Sequence, residues 1–527
     1  MKRGRPWYVL LLALYPVLFL YARNLHFVFI SDFLISEAVA LACLGVLWGG
    51  AWLMVRDWQR AALLAAFWIL FLQCYQPVYS VAWKVDFLWW LASRGLILWL
   101  VAMAAGTVLL LRVKMVAPLL VKCLNLAAII LVAFPAFAVV RSEIRLHMAA
   151  PKPARVSATE ARPEGLEGRD LPDIYHIVLD AYGREDVLKD IYGYDNSPFL
   201  DELRNLGFFV ASNARSNYWK TDLSMPSVFN MSYLTYVDGE EGVLQTDSGL
   251  RGDSNLLIRK GRVLTFLEGL GYRTVAFSVG YPSVELRTAD VYFDIRGKGL
   301  ADLPTFQYQA LLMTPLPAAL DLLAPQVSRH SYVTRRNQIM NTFRHIGDLS
   351  DRDMPLFVYA HVEVPHPPFV FLADGTPVNP DRPFDGNDGN NFFEAGGTRA
   401  EYLKGYVQQV RFANRHVLAA ISRILERSSR PVVIFIQGDH GPGLDWDWIH
   451  PEKTNFYERL SILYALRLPG GKRCDIPQDT TPVNLYRYLF SRLFGADLKP
   501  LPNKSYYATP PPDAETVEIP AERLAPR

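Results

Sequence analysis

Cysteine is scarce in this 527-residue chain, and almost none of it lies in the polar part. Three of the four cysteines, Cys43, Cys74 and Cys123, fall in apolar stretches, which leaves Cys474 alone in the remainder. A disulfide needs two thiols, so none can form within the polar part, whichever compartment holds it.

Charge of one sign is also in short supply. The net charge is only +2 at pH 7, and no dense Lys/Arg patch interleaved with aromatic residues occurs. Proteins that bind DNA or RNA carry such patches, because phosphates must be neutralised. The sequence therefore excludes a nucleic-acid partner.

Apolar residues are abundant, but they are concentrated between Trp7 and Val140. Five stretches there are long enough to cross a bilayer, and they predict a transmembrane domain over residues 1–145. They cover residues 7–22, 33–55, 61–81, 87–111 and 116–140. The first is short, but no small-residue cleavage site follows it, so we expect a retained anchor rather than a signal peptide.

Basic residues mark alternate connections between these five stretches. They are Lys2, Arg3 and Arg5, then Arg56 and Arg60, then Arg112 and Lys114. Connections rich in Lys and Arg stay in the cytoplasm. Five crossings from a cytoplasmic N-terminus predict that everything after Val140 lies on the outer side of the membrane.

Two segments of the polar part of the chain show no pattern of helices or strands. Residues 146–172 are rich in Pro, Ala and charge without periodicity, and they predict a linker. Residues 508–527 have a similar composition and predict a disordered tail. One folded domain is therefore expected over residues 173–507.

Short apolar runs alternate with amphipathic stretches in this domain. The runs at 174–179, 273–279, 356–362, 432–436 and 461–466 predict strands, and a long helix is predicted within 401–426. Continuous apolar strands between helices are typical of an α/β fold with a mostly parallel sheet, sandwiched by helices. Ligands bind such sheets at the carboxyl ends of the strands.

Metal-ligating side chains follow three of these strands. Asp180 comes directly after the run at 174–179. His361 lies near the end of the run at 356–362 and His366 follows that run, while Asp439 and His440 follow the run at 432–436. Mixed carboxylate and imidazole ligands favour zinc or manganese over calcium. Taken singly, each residue has a structural alternative, such as a helix cap for Asp180.

Two hydroxyls, Thr221 and Ser224, begin a predicted helix in the run SNYWKTDLSMPSVFN. The positive field of a helix N-terminus and a nearby metal both lower the pKa of a hydroxyl, which favours attack on a phosphate or sulfate ester. An ordinary helix cap is the structural alternative. From the residues alone, both hydroxyls remain candidate nucleophiles.

The order of these motifs resembles a known family. A strand ending in an acidic ligand, a hydroxyl, a His-rich loop ending HPP and a strand ending Asp-His-Gly follow one another as in the membrane-anchored alkaline phosphatase and sulfatase superfamily. That branch includes phosphoethanolamine transferases and lipoteichoic acid synthases. Runs such as IYGYDN, QGDHGPG and KSYYA are similar to those of sulfatase-like bacterial membrane proteins.

The resemblance implies an architecture and a location. It implies a five-helix transmembrane bundle followed by an alkaline phosphatase/sulfatase-like domain. It also implies a multi-pass protein of the bacterial inner membrane, with the catalytic domain on the periplasmic or extracytoplasmic side.

The resemblance also implies roles for individual residues. In the stretch Thr-x-x-Ser-x-Pro the threonine is the nucleophile, which is Thr221 here. A divalent metal would be held by Asp180, Thr221, Asp439 and His440. Zinc is the expected metal, and manganese is the alternative. His366 and His450 would contact the transferred group or a second metal, although His450 is closer to Asp439 in sequence than the family pattern expects.

The function implied is transfer of a phosphoethanolamine or phosphoglycerol head group. A membrane phospholipid would donate it to Thr221, and an envelope glycan or lipid would accept it. Hydrolysis of phosphate or sulfate esters at the same site and a non-catalytic envelope platform remain alternatives. Val228 stands where formylglycine sulfatases need Arg, which argues against that activity.

Overall fold

The computed structural model describes most of the chain. The described residues are 4–25, 28–84, 95–149, 171–236, 244–247, 249, 251–294, 305–323, 330–349, 353–380, 382, 384, 386–471, 475–509 and 515–526. They form two compact units. The first comprises Met1–His147 and Gly297–His330, and the second comprises Met148–Arg296 and Ser331–Arg527.

The described helices and strands alternate along most of the second unit, whereas the first unit is helical. The helices are α1 (Tyr8–Arg23), α2 (Ile30–Val55), α3 (Trp58–Gln73), α4 (Tyr75–Lys84), α5 (Gly95–Leu111), α6 (Pro118–Ala149), α7 (Glu185–Asp190), α8 (Ser197–Asn205), α9 (Thr221–Asn230), α10 (Ser254–Arg259), α11 (Arg262–Gly269), α12 (Thr305–Leu312), α13 (Leu316–Leu323), α14 (His330–His345), α15 (Asn390–Glu394), α16 (Arg399–Arg427), α17 (Phe456–Leu460) and α18 (Leu485–Phe494). The strands are β1 (Asp173–Leu179), β2 (Phe209–Val210), β3 (Leu234–Tyr236), β4 (Leu244–Thr246), β5 (Arg251–Gly252), β6 (Arg273–Phe277), β7 (Val291–Phe293), β8 (Leu356–Val362), β9 (Val432–Gln437), β10 (Tyr464–Arg467), β11 (Tyr506–Ala508) and β12 (Thr516–Glu518).

The first unit contains the apolar helices. Among the described residues, α2 and the Pro118–Ser142 part of α6 are long and apolar enough to cross a membrane, while α1, α3 and α5 are apolar but shorter. The predicted five-helix bundle is thus described only in part, because residues 87–94 of the predicted fourth span lie outside the described residues.

The predicted third span is interrupted. Helix α3 ends at Gln73 and α4 begins at Tyr75, within the stretch expected to be continuous. The reason is Pro77, which has no backbone N–H and whose ring would clash with the carbonyl four residues earlier, that of Gln73.

Two short helices from late in the sequence also belong to the first unit. Helices α12 and α13 lie between β7 and α14 in the chain, yet they fall in the first unit. Phe306 is buried against Val17 and Tyr21, and the Gln76 backbone N–H donates to the Met313 carbonyl at 3.3 Å. The predicted domain at 173–507 did not include this excursion.

A seven-stranded sheet organises the second unit, in the order β2-β10-β9-β1-β8-β6-β7. Strands β9, β1, β8, β6 and β7 run parallel, while β10 and β2 form an antiparallel edge. Every residue of β1, β8 and β9 is buried, because helices cover both faces. The prediction of an α/β fold with a mostly parallel sheet is confirmed.

The two faces of the sheet have separate cores. On one face, α16 packs through buried residues such as Tyr402, Val410 and Val417. On the other, α9, α11 and α18 contribute Met225, Phe266, Phe490 and their neighbours. The long helix predicted within 401–426 is α16.

Part of the chain expected to be disordered is structured. Strand β12 pairs antiparallel with β11, and Ile519 is buried against Trp219 and Trp446. The predicted disordered tail therefore does not extend over residues 515–526. Helix α6 continues to Ala149, and the rest of the predicted linker up to residue 170 lies outside the described residues.

Gly441, in the loop after β9, packs closely against the backbone of residues 458–461, and a substitution there tests this contact. A Cβ atom there would lie 2.1 Å from the Glu458 carbonyl oxygen and 3.0 Å from that of Ser461. We expect Gly441→Ala to cost about 1–3 kcal/mol through overpacking and to lower the melting temperature of the detergent-solubilised protein. Gly386→Ala is the matched control, since its nearest atoms would be 3.7 and 3.9 Å away. Equal melting temperatures for the two variants would contradict this packing.

Candidate active site

The carboxyl ends of three central strands bring the predicted ligands together. Strand β1 lies between β8 and β9, with Val178 level with both His361 and Gln437. Asp180 therefore emerges beside His361 on one side and beside Asp439 on the other. This is the edge of the sheet at which parallel α/β folds bind ligands.

Thr221 lies at the first position of α9, with Lys220 in extended backbone conformation before it. Its hydroxyl donates to Asp439 Oδ2 at 2.6 Å and lies 3.3 Å from His440 Nε2. The side chain is 6% exposed, so little water competes for the hydroxyl. A helix N-terminus and a carboxylate that accepts a hydrogen bond from the hydroxyl both favour attack by this oxygen.

Ser224, the other candidate nucleophile, is committed to the backbone. Its hydroxyl donates to the Asp439 carbonyl at 2.6 Å, and the side chain is fully buried. Ser216 donates to the same carbonyl. The geometry therefore favours Thr221 as nucleophile and gives Ser224 the task of holding the Asp439 backbone.

Five residues singled out by the sequence could hold a cation here. They are Asp180, His361, His366, Asp439 and His440. His440 Nε2 lies 3.7 Å from Asp180 Oδ1 and 3.6 Å from Asp439 Oδ2. Ligand atoms of Asp180, His366 and His440 all lie within 4.8 Å of one another, as do those of Asp180, His361 and Asp439. Asp180 Oδ1 is buried yet accepts no hydrogen bond from any described residue. A buried, unsatisfied carboxylate oxygen beside imidazole nitrogens fits a divalent metal.

The protonation states of Asp180 and His440 suit metal ligands. Burial by itself raises the pKa of Asp180, but the charge of His366 and the hydrogen bond from His361 outweigh it and hold the pKa below its usual value. Burial, reinforced by Arg459, lowers the pKa of His440. A charged carboxylate and a neutral imidazole are the forms that bind metals.

His366 faces the same cluster from the loop after β8. Its ring centroid lies 6.1 Å from that of His440, and its Nε2 atom lies 3.9 Å from Asp388 Oδ2. The side chain is 14% exposed, so it is accessible from solvent while its neighbours are buried. The structure thus brings His366 to the site, in the position expected of a group that meets substrate.

His450 does not join this cluster. Its side chain is 47% exposed and its Nδ1 atom pairs with Glu452 Oε1 at 3.3 Å. Asp447 Oδ1 accepts hydrogen bonds from the backbone N–H groups of Ile449 and His450, which closes a tight turn over residues 447–450. The structure therefore does not support the catalytic role that the resemblance implied for His450.

Sequence reasoning missed a buried ion pair beside the site. Arg459 Nη1 donates to Asp388 Oδ2 at 2.7 Å, and both side chains are buried. The guanidinium also donates to the Trp219 carbonyl at 2.8 Å and the Gly441 carbonyl at 3.2 Å. Arg459 therefore ties the nucleophile loop to the Asp-His-Gly loop.

Asp388 is held ionised by this arrangement. Burial alone would raise the pKa of Asp388, but the Arg459 charge and then that of His366 lower it below the usual value. Tyr402 donates its hydroxyl to Asp388 Oδ1 at 2.6 Å. No sequence pattern marks Asp388 or Arg459, since they lie 71 positions apart.

Comparisons with known proteins give structural similarities only. No family model matches the chain, and no curated protein does. The C-terminal periplasmic domain of EcEptC from Escherichia coli is similar at 12% identity and a TM-score of 0.41, over 68% of this chain and 94% of that one. The structure of the same domain in complex with Zn is similar at 13% identity and a TM-score of 0.40, over 68% of this chain and 94% of that one.

A second similar structure is the integral membrane protein lipooligosaccharide phosphoethanolamine transferase A from Neisseria meningitidis. It shares 13% identity at a TM-score of 0.38, over 76% of this chain and 75% of that one. A protein of the alkaline phosphatase superfamily from Vibrio parahaemolyticus is similar at 13% identity and a TM-score of 0.35, over 68% of this chain and 81% of that one. These proteins come from the families that the sequence motifs resemble, but so distant a similarity assigns no activity.

Metal content tests the cluster directly. We expect Asp439→Asn to lose bound metal, with an affinity loss above about 100-fold, because even outer partners of metal ligands are worth about 10–100-fold. Metal analysis of protein purified in detergent, titrated with zinc and with manganese, measures this. His450→Gln should bind metal as the wild type does. If Asp439→Asn retained full affinity, Asp439 would not be a ligand.

The Asp388–Arg459 pair makes a separate prediction about stability. Asp388→Asn leaves the buried Arg459 charge uncompensated, and we expect a cost of about 3–5 kcal/mol. Asp348→Asn is the control, because the Asp348–Arg427 pair at 2.6 Å is largely exposed and is worth about 0–1 kcal/mol. Melting temperatures of the two variants decide the matter, and similar losses would contradict the assigned role.

Proposed function

We propose that this chain is a metal-dependent transferase that moves a phosphorus-containing head group from a membrane phospholipid through Thr221. The observation that carries the proposal is the Thr221 hydroxyl at the start of α9, bonded to Asp439 and surrounded by buried carboxylate and imidazole groups. That combination supplies an activated nucleophile in a water-poor pocket.

Asp180, Thr221, Asp439 and His440 would hold the divalent ion, with zinc preferred to manganese for this mixture of oxygen and nitrogen ligands. When bound, such an ion lowers the pKa of the hydroxyl and stabilises negative charge on the transferred group. Asp439 Oδ2 orients the Thr221 oxygen through its hydrogen bond.

The reaction has two displacement steps. Thr221 Oγ1 gives its proton to Asp439 Oδ2, which accepts its hydrogen bond, and attacks the phosphorus of the donor, while the bond from phosphorus to the diacylglycerol oxygen breaks. His366, the accessible imidazole of the cluster, donates a proton to the leaving oxygen. An acceptor hydroxyl on an envelope glycan or lipid then gives its proton to the same histidine and attacks phosphorus. The bond from phosphorus to Thr221 Oγ1 breaks, and that oxygen takes its proton back from Asp439.

Transfer is preferred to hydrolysis because of the first unit. We propose that its apolar helices make the protein a multi-pass protein of the bacterial inner membrane, with the second unit outside. Helices α2 and α6 are long and apolar enough to cross a bilayer, and the alternating basic residues set the orientation. Anchoring keeps the site at the surface where lipid donors lie.

Intact mass spectrometry of the full-length protein, purified from its own envelope, tests the proposal. We expect an added mass equal to one phosphoethanolamine or phosphoglycerol group on Thr221, absent from Thr221→Ala. Turnover of a phospholipid donor should fall by at least about 10³-fold, since removal of a nucleophile eliminates the covalent route. Thr235→Ala, at an exposed threonine of β3, should keep both adduct and activity.

Other outcomes would replace the proposal. Cleavage of a phosphate diester to free products, with bound metal but no adduct and no acceptor product, would establish a hydrolase. Absence of adduct, metal and cleavage together would establish a non-catalytic envelope protein.

A further inference from the structure

The first unit contains an apolar cavity that the proposed chemistry does not use. Its volume is about 690 Å³, and it lies between α1, α2, α3, α5 and the inserted helices α12 and α13. This is within the range of about 300–1,000 Å³ typical of ligand pockets. The polar residues of its wall are Ser36, Gln73, Gln307 and Thr314, and the other lining side chains are apolar apart from Cys43.

With the membrane topology proposed above, the helix positions place this cavity in the outer half of the membrane. It is lined by the second half of α1, the first part of α2, the end of α3 and the start of α5. The alternating basic residues place the start of α1, the end of α2, the start of α3 and the end of α5 in the cytoplasm. The lining portions are therefore at or toward the outer ends of these helices.

Chain connectivity agrees with this level. Helices α12 and α13 are joined at both ends to the second unit, which the same topology places outside. Each has eight residues, about 12 Å of helix, whereas the apolar core of a bilayer is about 30 Å thick. The pair enters from the outer side and returns there, with Thr314 and Pro315 of the turn lining the cavity.

Two amide groups give the cavity a polar margin. Gln73 Oε1 and Gln307 Oε1 are buried, and neither accepts a hydrogen bond from a described residue. Both side chains line the cavity, and Gln73 is the last residue of α3, at its outer end. A buried amide oxygen without a donor is unfavourable, so rotation of either side chain toward a donor brought by an occupant would satisfy its oxygen.

We propose that this cavity binds one acyl chain of a phospholipid from the outer half of the bilayer. The apolar wall holds the chain, and Gln73 and Gln307 face the ester and head-group region. That the cavity lies in the outer half of the bilayer rests on the membrane topology proposed above, and that the bound lipid is the donor rests on the reaction proposed above.

Photo-cross-linking in membranes tests the site. Full-length protein carrying Thr221→Ala, which cannot consume a donor, is placed in phosphatidylcholine vesicles with a small fraction of phosphatidylethanolamine bearing a diazirine in one acyl chain. After irradiation, we expect cross-links concentrated on the cavity faces of α2 and α12. Ala40→Trp, which fills the cavity, should lower the cross-linking of α12 several-fold.

Val46→Trp is the matched control, since it is on the same helix, its side chain is 75% exposed, and it does not line the cavity. It should leave the cross-links unchanged. Gln307→Leu, which preserves size, should also lower them several-fold and serves if Ala40→Trp fails to assemble. Cross-links spread evenly over the apolar surface, or unaltered by Ala40→Trp and Gln307→Leu, would overturn the proposal. A disulfide between Cys43 of two protein copies, formed when an oxidant is added to the same vesicles, would overturn it in favour of a second copy.

Activity separates this inference from the proposed function. With Thr221 present, Ala40→Trp should slow turnover of the phospholipid several-fold and leave cleavage of a short water-soluble phosphodiester unchanged. Cavity cross-links without any phospholipid turnover in the wild type would leave the lipid site standing and overturn its assignment to a donor. Equal loss with both substrates would overturn a role for the cavity in donor binding.

Discussion

The hydrogen bonding of Asp439 holds the site together. One carboxylate oxygen accepts the Thr221 hydroxyl, and the other accepts the Ala181 backbone N–H at 3.1 Å. Its carbonyl accepts the Ser224 hydroxyl. A single residue at the end of β9 thereby fixes the start of α9 and the turn after β1, which are distant in sequence. Without Asp439, no single side chain would connect Thr221 to the turn that carries Asp180.

The same arrangement accommodates an unfavourable backbone conformation. Ala181 has φ +63°, in the left-handed region, at a cost of roughly 1–2 kcal/mol for a residue with a Cβ atom. Its N–H donates to Asp439 and its carbonyl accepts the Tyr406 hydroxyl at 2.8 Å. The surrounding contacts hold Ala181 in place, and this sets the direction in which Asp180 leaves the sheet.

Sequence reasoning found the residues whose positions follow from strand order. Asp180, Asp439 and His440 come directly after buried parallel strands, so their convergence is predictable without tertiary detail. Thr221 needed a motif as well. His450 was predicted from the resemblance alone, although its separation from Asp439 in sequence is shorter than the family pattern expects. In the structure it lies in an exposed turn that Asp447 holds through two backbone hydrogen bonds.

What sequence reasoning missed depends on long-range pairing or short segments. Arg459 and Asp388 read as ordinary loop or surface residues until the fold buries them against each other. Helices α12 and α13 are too short to register as membrane segments. Strand β12 is only three residues long and gains its structure from pairing with β11.

The assignment of α12 and α13 to the first unit means that the two units are interleaved along the chain rather than arranged in series. Cutting the polypeptide between residues 150 and 170 does not divide the molecule at a natural boundary. A fragment from residue 171 onward carries Phe306 away from Val17 and Tyr21, its partners in the first unit. Its apolar hairpin then faces water, and the fragment's solubility depends on what covers that surface.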